Sequence, residues 1–496
     1  MESPLSREPG RRWLLALGCF AILIFFFSPS WAAFRAWSRV PALQGLIEVR
    51  RGASVLQQLA HPGAAIADPL HAAIQWRLLF PFIGHVLHLP PTLVFGLSHL
   101  GCALVLAFVI ALLRRHGWTW PETALATLVF GAAEWFFAAT GWLGYFDAWL
   151  VFAVLIVAFA RHWWAVWLAC LWAPWVDERF ALALPLALAC RHVYLTRHPP
   201  APASVTRRTE TVVALSLLAV FLVIRFALLS GRTATGATVS GYLAAFAVAD
   251  APLGRMALGM WEGLRAGWIF AAAAVVLLWR RQRNAAVMLL VLAVASGGIG
   301  LLTAQDFGRS MMLLTPLALL GLLLTREANA SWRPLVLRAG AVVTLLLPAH
   351  HVMSDRVNPI YYLYHEIAAF ESPPPAVMPE LHELRGIDAM QRGDFVEAAE
   401  ALSMAIQLSP NPARASRQRG ILFASAQRWA EARQDFATSV EHEPKNPDGW
   451  FLRAQAELAL GNTRAAESDW TQARSLASPK WAERADVARF QARLKK

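Results

Sequence analysis

Acids and arginines gather in a few short stretches of this chain, in combinations that could handle a phosphate and a hydroxyl. Asp68, His71 and Arg77 fall in one stretch and Asp147 ends a Gly-Tyr-Phe-Asp turn. Asp177, Glu178 and Arg179 are consecutive, and Asp306 and Arg309 share the segment Gln-Asp-Phe-Gly-Arg-Ser. An arginine fork holds a phosphate or diphosphate through paired charge-assisted hydrogen bonds, and a carboxylate can take the proton of an attacking hydroxyl. A plainer arrangement uses the same residues. Acids near a helix N-terminus offset its dipole, and Asp306 and Arg309, three apart, can pair with each other. His61, His350 and His351 lack a carboxylate at metal-ligand spacing and read as interface residues. Cys19, Cys102, Cys170 and Cys190 lie in or beside apolar runs and read as small packing residues.

The elements that must position these groups are apolar. The chain is 57% hydrophobic and 16% charged, too apolar for a soluble globule of 496 residues. Residues 1–378 hold 28 Lys/Arg against 17 Asp/Glu, whereas residues 379–496 hold 17 against 16, so the basic surplus belongs to the apolar part. Such a surplus marks the cytoplasmic loops of a membrane protein. With no basic stripe and no zinc-ligand cluster, a nucleic-acid partner is excluded.

A first run, Trp13 to Trp31, follows Arg7, Arg11 and Arg12 and reads as an uncleaved first span with its N-terminus in the cytoplasm. Further runs at 92–113, 122–139, 147–160, 163–176, 179–193, 211–230, 266–279, 285–304, 310–325 and 338–353 bring the count to eleven. Arginine clusters alternate with the opposite loops near Asp147, Asp177 and Asp306. Trp118, Trp142, Trp163, Trp175 and Trp279 end runs, as interfacial anchors do. An odd count places everything after residue 353 outside the cytoplasm, in the periplasm if the membrane is a bacterial inner membrane. The long first loop, 32–91, carries Trp37, Leu43, Leu46, Ile47, Val55 and Leu59 at helical spacing among Arg35, Arg39, Arg50 and Arg51. Such a segment is expected to lie in the membrane plane with its arginines toward lipid phosphates. The expected domains are a polytopic unit over 1–353, a proline-rich joint over 354–378, and a repeat unit over 379–496.

That last unit carries one pattern three times at a spacing of 34. Gly386, Gly393, Phe395, Ala398, Leu402, Ala405 and Pro410 recur as Gly420, Gln427, Trp429, Ala432, Phe436, Ser439 and Pro444, and again as Ala454, Gly461, Thr463, Ala466, Trp470, Ala473 and Ser478. The period, with small residues where paired helices cross, is the signature of tetratricopeptide repeats. A solenoid of helix pairs offers a groove for a protein or peptide partner.

The whole is all-α, a polytopic helix bundle followed by an α-solenoid, and it resembles the GT-C glycosyltransferases. Within them, the tetratricopeptide-containing transmembrane O-mannosyltransferases resemble it in pairing such a membrane domain with external repeats. Asp177 to Leu186 is similar to the acid-bearing start of a middle helix in such proteins. The resemblance implies a polyprenyl-phosphate-linked sugar as donor and a catalytic acid in the first loop. Members usually carry adjacent acids just after the first helix; here Phe34-Arg35-Ala36-Trp37 stands there, and Glu48 and Asp68 come well downstream. On this reading Asp68 is the general base, and Arg77, Arg179 and Arg309 face the phosphate with His71 beside the donor. Asp147, Asp177, Glu178 and Asp306 orient the sugar or a divalent cation. The alternative is a non-catalytic inner-membrane scaffold whose repeats recruit partners for envelope assembly.

Overall fold

The computed structural model describes residues 8–27, 47–64, 75–199, 206–225, 253–303, 306–353, 357–360 and 378–494. The chain divides into two compact units, one drawn from Met1–Ala33 and Arg50–Ile367, the other from Phe34–Val49 and Ala368–Lys496.

The first unit is helical: α1 Glu8–Phe26, α2 Ile47–Ala60, α3 Leu79–Val86, α4 Pro91–Arg115, α5 Trp120–Gly131, α6 Glu134–Gly141, α7 Asp147–Phe159, α8 Trp163–Trp172, α9 Phe180–Arg197, α10 Arg207–Val223, α11 Leu253–Leu264, α12 Gly267–Trp279, α13 Arg283–Thr303, α14 Phe307–Met311, α15 Thr315–Glu327 and α16 Arg333–Leu346. Among the described residues, four stretches are long and apolar enough to cross a bilayer: Pro9–Phe26, Pro91–Arg115, Arg283–Leu301 and Phe307–Glu327. The pairs α5/α6 and α11/α12, bent by 67° and 81°, pass the same standard if each is one broken span, making six. Shorter apolar helices such as Asp147–Phe159 reach only ~20 Å at ~1.5 Å per residue, against ~30 Å of hydrocarbon. They do not by themselves carry the count to eleven.

The two breaks have local causes. Ala132 and Ala133 leave helical geometry, with ψ of 61° and 167°. The Trp135 indole then donates to the Phe130 carbonyl at 3.0 Å. At the other break Arg265 is left-handed, with φ 47°. Its buried guanidinium pairs with Glu262 and collects the end carbonyls of α16, Thr344 at 3.0 Å and Leu347 at 2.8 Å. Strain at a non-glycine φ of this kind persists where surrounding bonds over-determine it.

The run over 338–353 departs from the all-helical expectation. Pro348 disfavours helix at Leu347, which is extended with ψ 136°. The chain continues as β1 Ala349–Val352, antiparallel to β2 Val357–Ile360, pairing Ala349 with Ile360 and Val352 with Val357. Trp118 and Trp142 are buried within the protein, whereas Trp279 is exposed.

Glycines set the closest helix contacts. A Cβ at Gly259 or Gly263 of α11 would lie 2.4 Å from Phe307 Cβ or 2.2 Å from Met311 Cβ of α14. One at Gly321 would lie 1.7 Å from the Phe270 carbonyl oxygen. Small residues spaced four apart let membrane helices approach backbone to backbone. Here they seat the segment that carries Asp306 and Arg309.

The second unit is built from three antiparallel pairs: α17 Met378–Arg392 with α18 Phe395–Leu408, α19 Ala413–Ser425 with α20 Trp429–His442, and α21 Pro447–Ala459 with α22 Thr463–Leu476. The turn position within each pair is left-handed at Gly393, Gln427 and Gly461, with φ of 79°, 61° and 80°. A Cβ at Gly386 would strike Leu402 and one at Gly420 would strike Phe436, as the small-residue positions require. Two helices not foreseen in the sequence follow, α23 Pro479–Ala482 and α24 Ala485–Leu494. Their Trp481, Val487 and Phe490 pack with Phe451 and Trp470 and close the apolar end of the last pair.

Candidate functional site

Nine ionisable side chains of the first unit, from six separate segments, form one chain of alternating charge. It starts at Glu178, which accepts from Arg77 Nε and Nη2 at 2.9 and 2.6 Å. Arg77 also pairs with Asp177 at 2.9 Å. Arg179, one residue before α9, bonds Asp177 at 2.6 Å and Asp147 at 2.7 Å. Asp147, on the first turn of α7, accepts from Arg309 Nε and Nη2 at 2.9 and 3.1 Å. Arg309 reaches Asp306 at 3.1 Å, and Asp306 caps α14 by accepting from the Arg309 amide. His351 Nε2 lies 3.5 Å from Asp306, and its Nδ1 makes a short contact with Glu134.

All seven described candidates from the sequence are therefore in one network: Arg77, Asp147, Asp177, Glu178, Arg179, Asp306 and Arg309. Asp68 and His71 lie outside the described residues. The pairing of Asp306 with Arg309 is the plainer arrangement, realised together with long-range links.

Two members escaped the sequence reading. Glu134 lies deep inside the apolar run 122–139, whose other acid, Glu122, is its first residue, and that depth was the available signal, because a carboxylate there is costly without a partner. His351 is a correction: it is buried against two carboxylates rather than lying at an interface. Those partners are remote in sequence, so spacing along the chain could not reveal them.

Arg51 is a second correction. Instead of facing lipid phosphates it is buried, donates to the Gly144 carbonyl at 3.0 Å, and lies over the Tyr145 ring at 4.2 Å. Arg309 lies over the same ring at 4.5 Å. Burial, with Arg77 and Arg309 nearby, pulls the Arg51 guanidinium down to about 10. Burial would raise the Asp177 carboxyl, but Arg179, Arg77 and Arg309 outweigh it and hold Asp177 well below the usual carboxylate range. Arg77 does the same for Glu178 against a similar desolvation. Both acids are thus ionised, and the three arginines of the network are neutralised within the protein.

A second charge layer occupies the far ends of the same helices. Arg197 and His198 both bond Glu327 at 2.9 Å, and Arg333 bonds Glu122 at 2.9 Å. The 18 residues of α9 separate Arg179 from His198 by roughly 27 Å, about one hydrocarbon thickness.

In the second unit, Arg419 forks onto Asp435 at 2.8 and 2.7 Å. Arg453 forks onto Asp469 at 2.7 and 2.5 Å, one repeat later. A groove of about 640 Å³ opens between α20, α21 and α22, lined by Ala430, Gln434, Ala437, Arg453, Glu457 and Ser468 among others.

Residues 384–457 match the tetratricopeptide repeat family. The helix pairs at a spacing of 34, with left-handed turns in register, are tetratricopeptide units, and such repeats are protein-interaction modules. No curated protein matches the chain.

Proposed function

We propose that the chain is a membrane glycosyltransferase of the GT-C type, transferring a sugar from a polyprenyl-phosphate carrier to an acceptor that its tetratricopeptide repeats recruit. The supporting observation is the gathering of the alternating charges at one end of apolar helices. Buried ionisable groups in such a setting are costly and are the first place to look for function. In the reaction Asp68 takes the proton of the acceptor hydroxyl, whose oxygen attacks the anomeric carbon. The bond from that carbon to the carrier phosphate breaks, and the phosphate leaves toward Arg77, Arg179 and Arg309. Asp147, Asp177, Glu178 and Asp306 hold those arginines in place, with His71 on the donor side. The protein sits in a bacterial inner membrane with its N-terminus in the cytoplasm and its repeats in the periplasm.

Asp68→Asn, tested with lipid-linked sugar donors in membranes, is expected to lower transfer by on the order of 10²–10⁴ while leaving insertion intact. Full activity of that variant removes Asp68 from the role. The pairing of these arginines with the protein's own carboxylates favours a second reading, a scaffold whose charge network only rigidifies the membrane unit. An unmodified chain that transfers no sugar from any polyprenyl-phosphate donor, yet retains a partner through residues 379–496, selects it.

A further inference from the structure

We propose that Glu134, Asp306 and His351 form a binding site for a divalent transition-metal ion. Each offers one ligand atom, and the three atoms lie within 4.8 Å of one another. They come from three segments that the fold brings together: the break between α5 and α6, the cap of α14, and β1. The gap between His351 Nε2 and Asp306 Oδ2 is 3.5 Å, too wide for a good hydrogen bond. It matches two ligands bound ~2.1 Å from one ion, which sit ~3.4 Å apart at a tetrahedral angle.

A separate observation points the same way. The Glu134 side chain is fully buried, and among the described residues its Oε2 has no hydrogen-bond partner while Oε1 engages His351. A buried carboxyl oxygen left unmatched at such depth carries a desolvation cost, which a bound cation relieves. Gly308 keeps this space open: a Cβ there would lie 2.9 Å from Glu134 Oε2. The Trp142 ring packs on His351 at a centroid distance of 4.4 Å and fixes the imidazole plane. Two carboxylates and one imidazole suit Zn²⁺ or Mn²⁺ and disfavour Mg²⁺, which prefers oxygen ligands and retained water. The sequence assigns Asp147, Asp177, Glu178 and Asp306 to orienting the sugar or a divalent cation. All four pair with arginines, Asp306 with Arg309 through Oδ2 at 3.1 Å, and of the four only Asp306 also belongs to this set. The proposal does not rest on the glycosyltransferase reading, since a scaffold could hold the same ion.

The test uses the full chain purified in detergent, dialysed to equilibrium against Zn²⁺, Mn²⁺ or Mg²⁺ and assayed for bound metal. A parallel sample takes Co²⁺, whose visible absorption reports the ligands. One Zn²⁺ or Mn²⁺ per chain is expected, with at least 10-fold weaker binding in His351→Ala and Glu134→Gln and loss of the Co²⁺ bands. His350→Ala, which alters the neighbour bonded to Glu262 instead, should bind as the unmodified chain does. No ion bound by the unmodified chain, or unchanged affinity in His351→Ala, overturns the proposal. Should His351→Ala fail to fold, Glu134→Gln keeps the side-chain volume and a hydrogen bond to His351. Unchanged affinity in that variant is equally fatal.

Discussion

In the repeats, Arg419 finds Asp435 sixteen residues on, and Arg453 finds Asp469 at the same separation. In the membrane unit, Arg77 finds Glu178 across 101 residues, Arg309 finds Asp147 across 162, and His351 finds Glu134 across 217. The chemistry of the arginine pairs is the same in both regions. Range and depth differ. The repeat pairs join the two helices of one hairpin and keep their arginines about a quarter exposed, so water shares the charge. The membrane pairs are formed by whole-unit packing, those of Asp147 and His351 buried and that of Arg77 and Glu178 only 11 and 16% exposed, so each charge depends chiefly on its partners. A protein can thus use one ion pair as a local clip and a similar pair as the consequence of a completed fold.

The largest effect that would test this contrast is at Asp147. Asp147→Ala strips a partner from both Arg179 and Arg309, and breaking a buried pair from one side costs ~3–5 kcal/mol. Thermal unfolding of the full chain in detergent should show that loss. The corresponding change Arg419→Ala should cost less, ~1.5–3 kcal/mol, the value of a hydrogen bond to a charged group. Equal losses at the two positions would abolish the contrast.

Packing at the repeat crossings comes next. Ala432 is fully buried, and Ala432→Trp overpacks a site with room for a methyl, costing ~1–3 kcal/mol. Residues 379–496 produced alone should melt cooperatively, and this variant should melt earlier or fail to fold. A smaller effect of opposite sign is expected at Gln427, which holds the left-handed turn that Gly393 and Gly461 hold in the other pairs. Gln427→Gly should raise stability by about 0.5–1 kcal/mol in urea unfolding, because an L side chain pays for that conformation and glycine does not.

The smallest effect concerns acid. Burial would raise Glu443, but Arg417 and Asn446 outweigh it and hold its carboxyl below the usual value. A folded pKa below the unfolded one gives stability that is complete above the unfolded value, ~4.3, and is lost as pH falls through the folded value. Repeat stability should therefore decline on the acid side, and Glu443→Gln should flatten that decline slightly. A steeper acid decline in the variant would assign the wrong sign to the pair.

How much was legible in the sequence follows the same division. The repeats could be read because their contacts recur at a fixed period. Gly386 and Gly420 meet side chains sixteen residues away, at Leu402 and Phe436. The terminal α23 and α24 lay outside that period and were missed, although Trp481 and Phe490 were visible as apolar residues without a repeat position. In the membrane unit, apolar runs disclosed helices but not their bends. Ala132 and Ala133 carry no breaking signal in their side chains, and the bend depends on Trp135 satisfying the freed carbonyl. Arg51 looked like a surface anchor because composition gives amphipathicity without saying which neighbour covers it.

By itself, then, the sequence determined the repeat spacing, the apolar character of the first unit, and the set of acids and arginines that share an end of its helices. Those are properties of types and periods within tens of residues. Only the tertiary structure decided who pairs with whom: that Arg309 spans Asp147 and Asp306, that Arg51 turns inward, and that His351 on a short strand meets Glu134 at a helix break. Buried charges must find partners wherever the packed backbone brings them. Close packing at Gly259, Gly263 and Gly308 sets those positions, and no spacing along the chain encodes them.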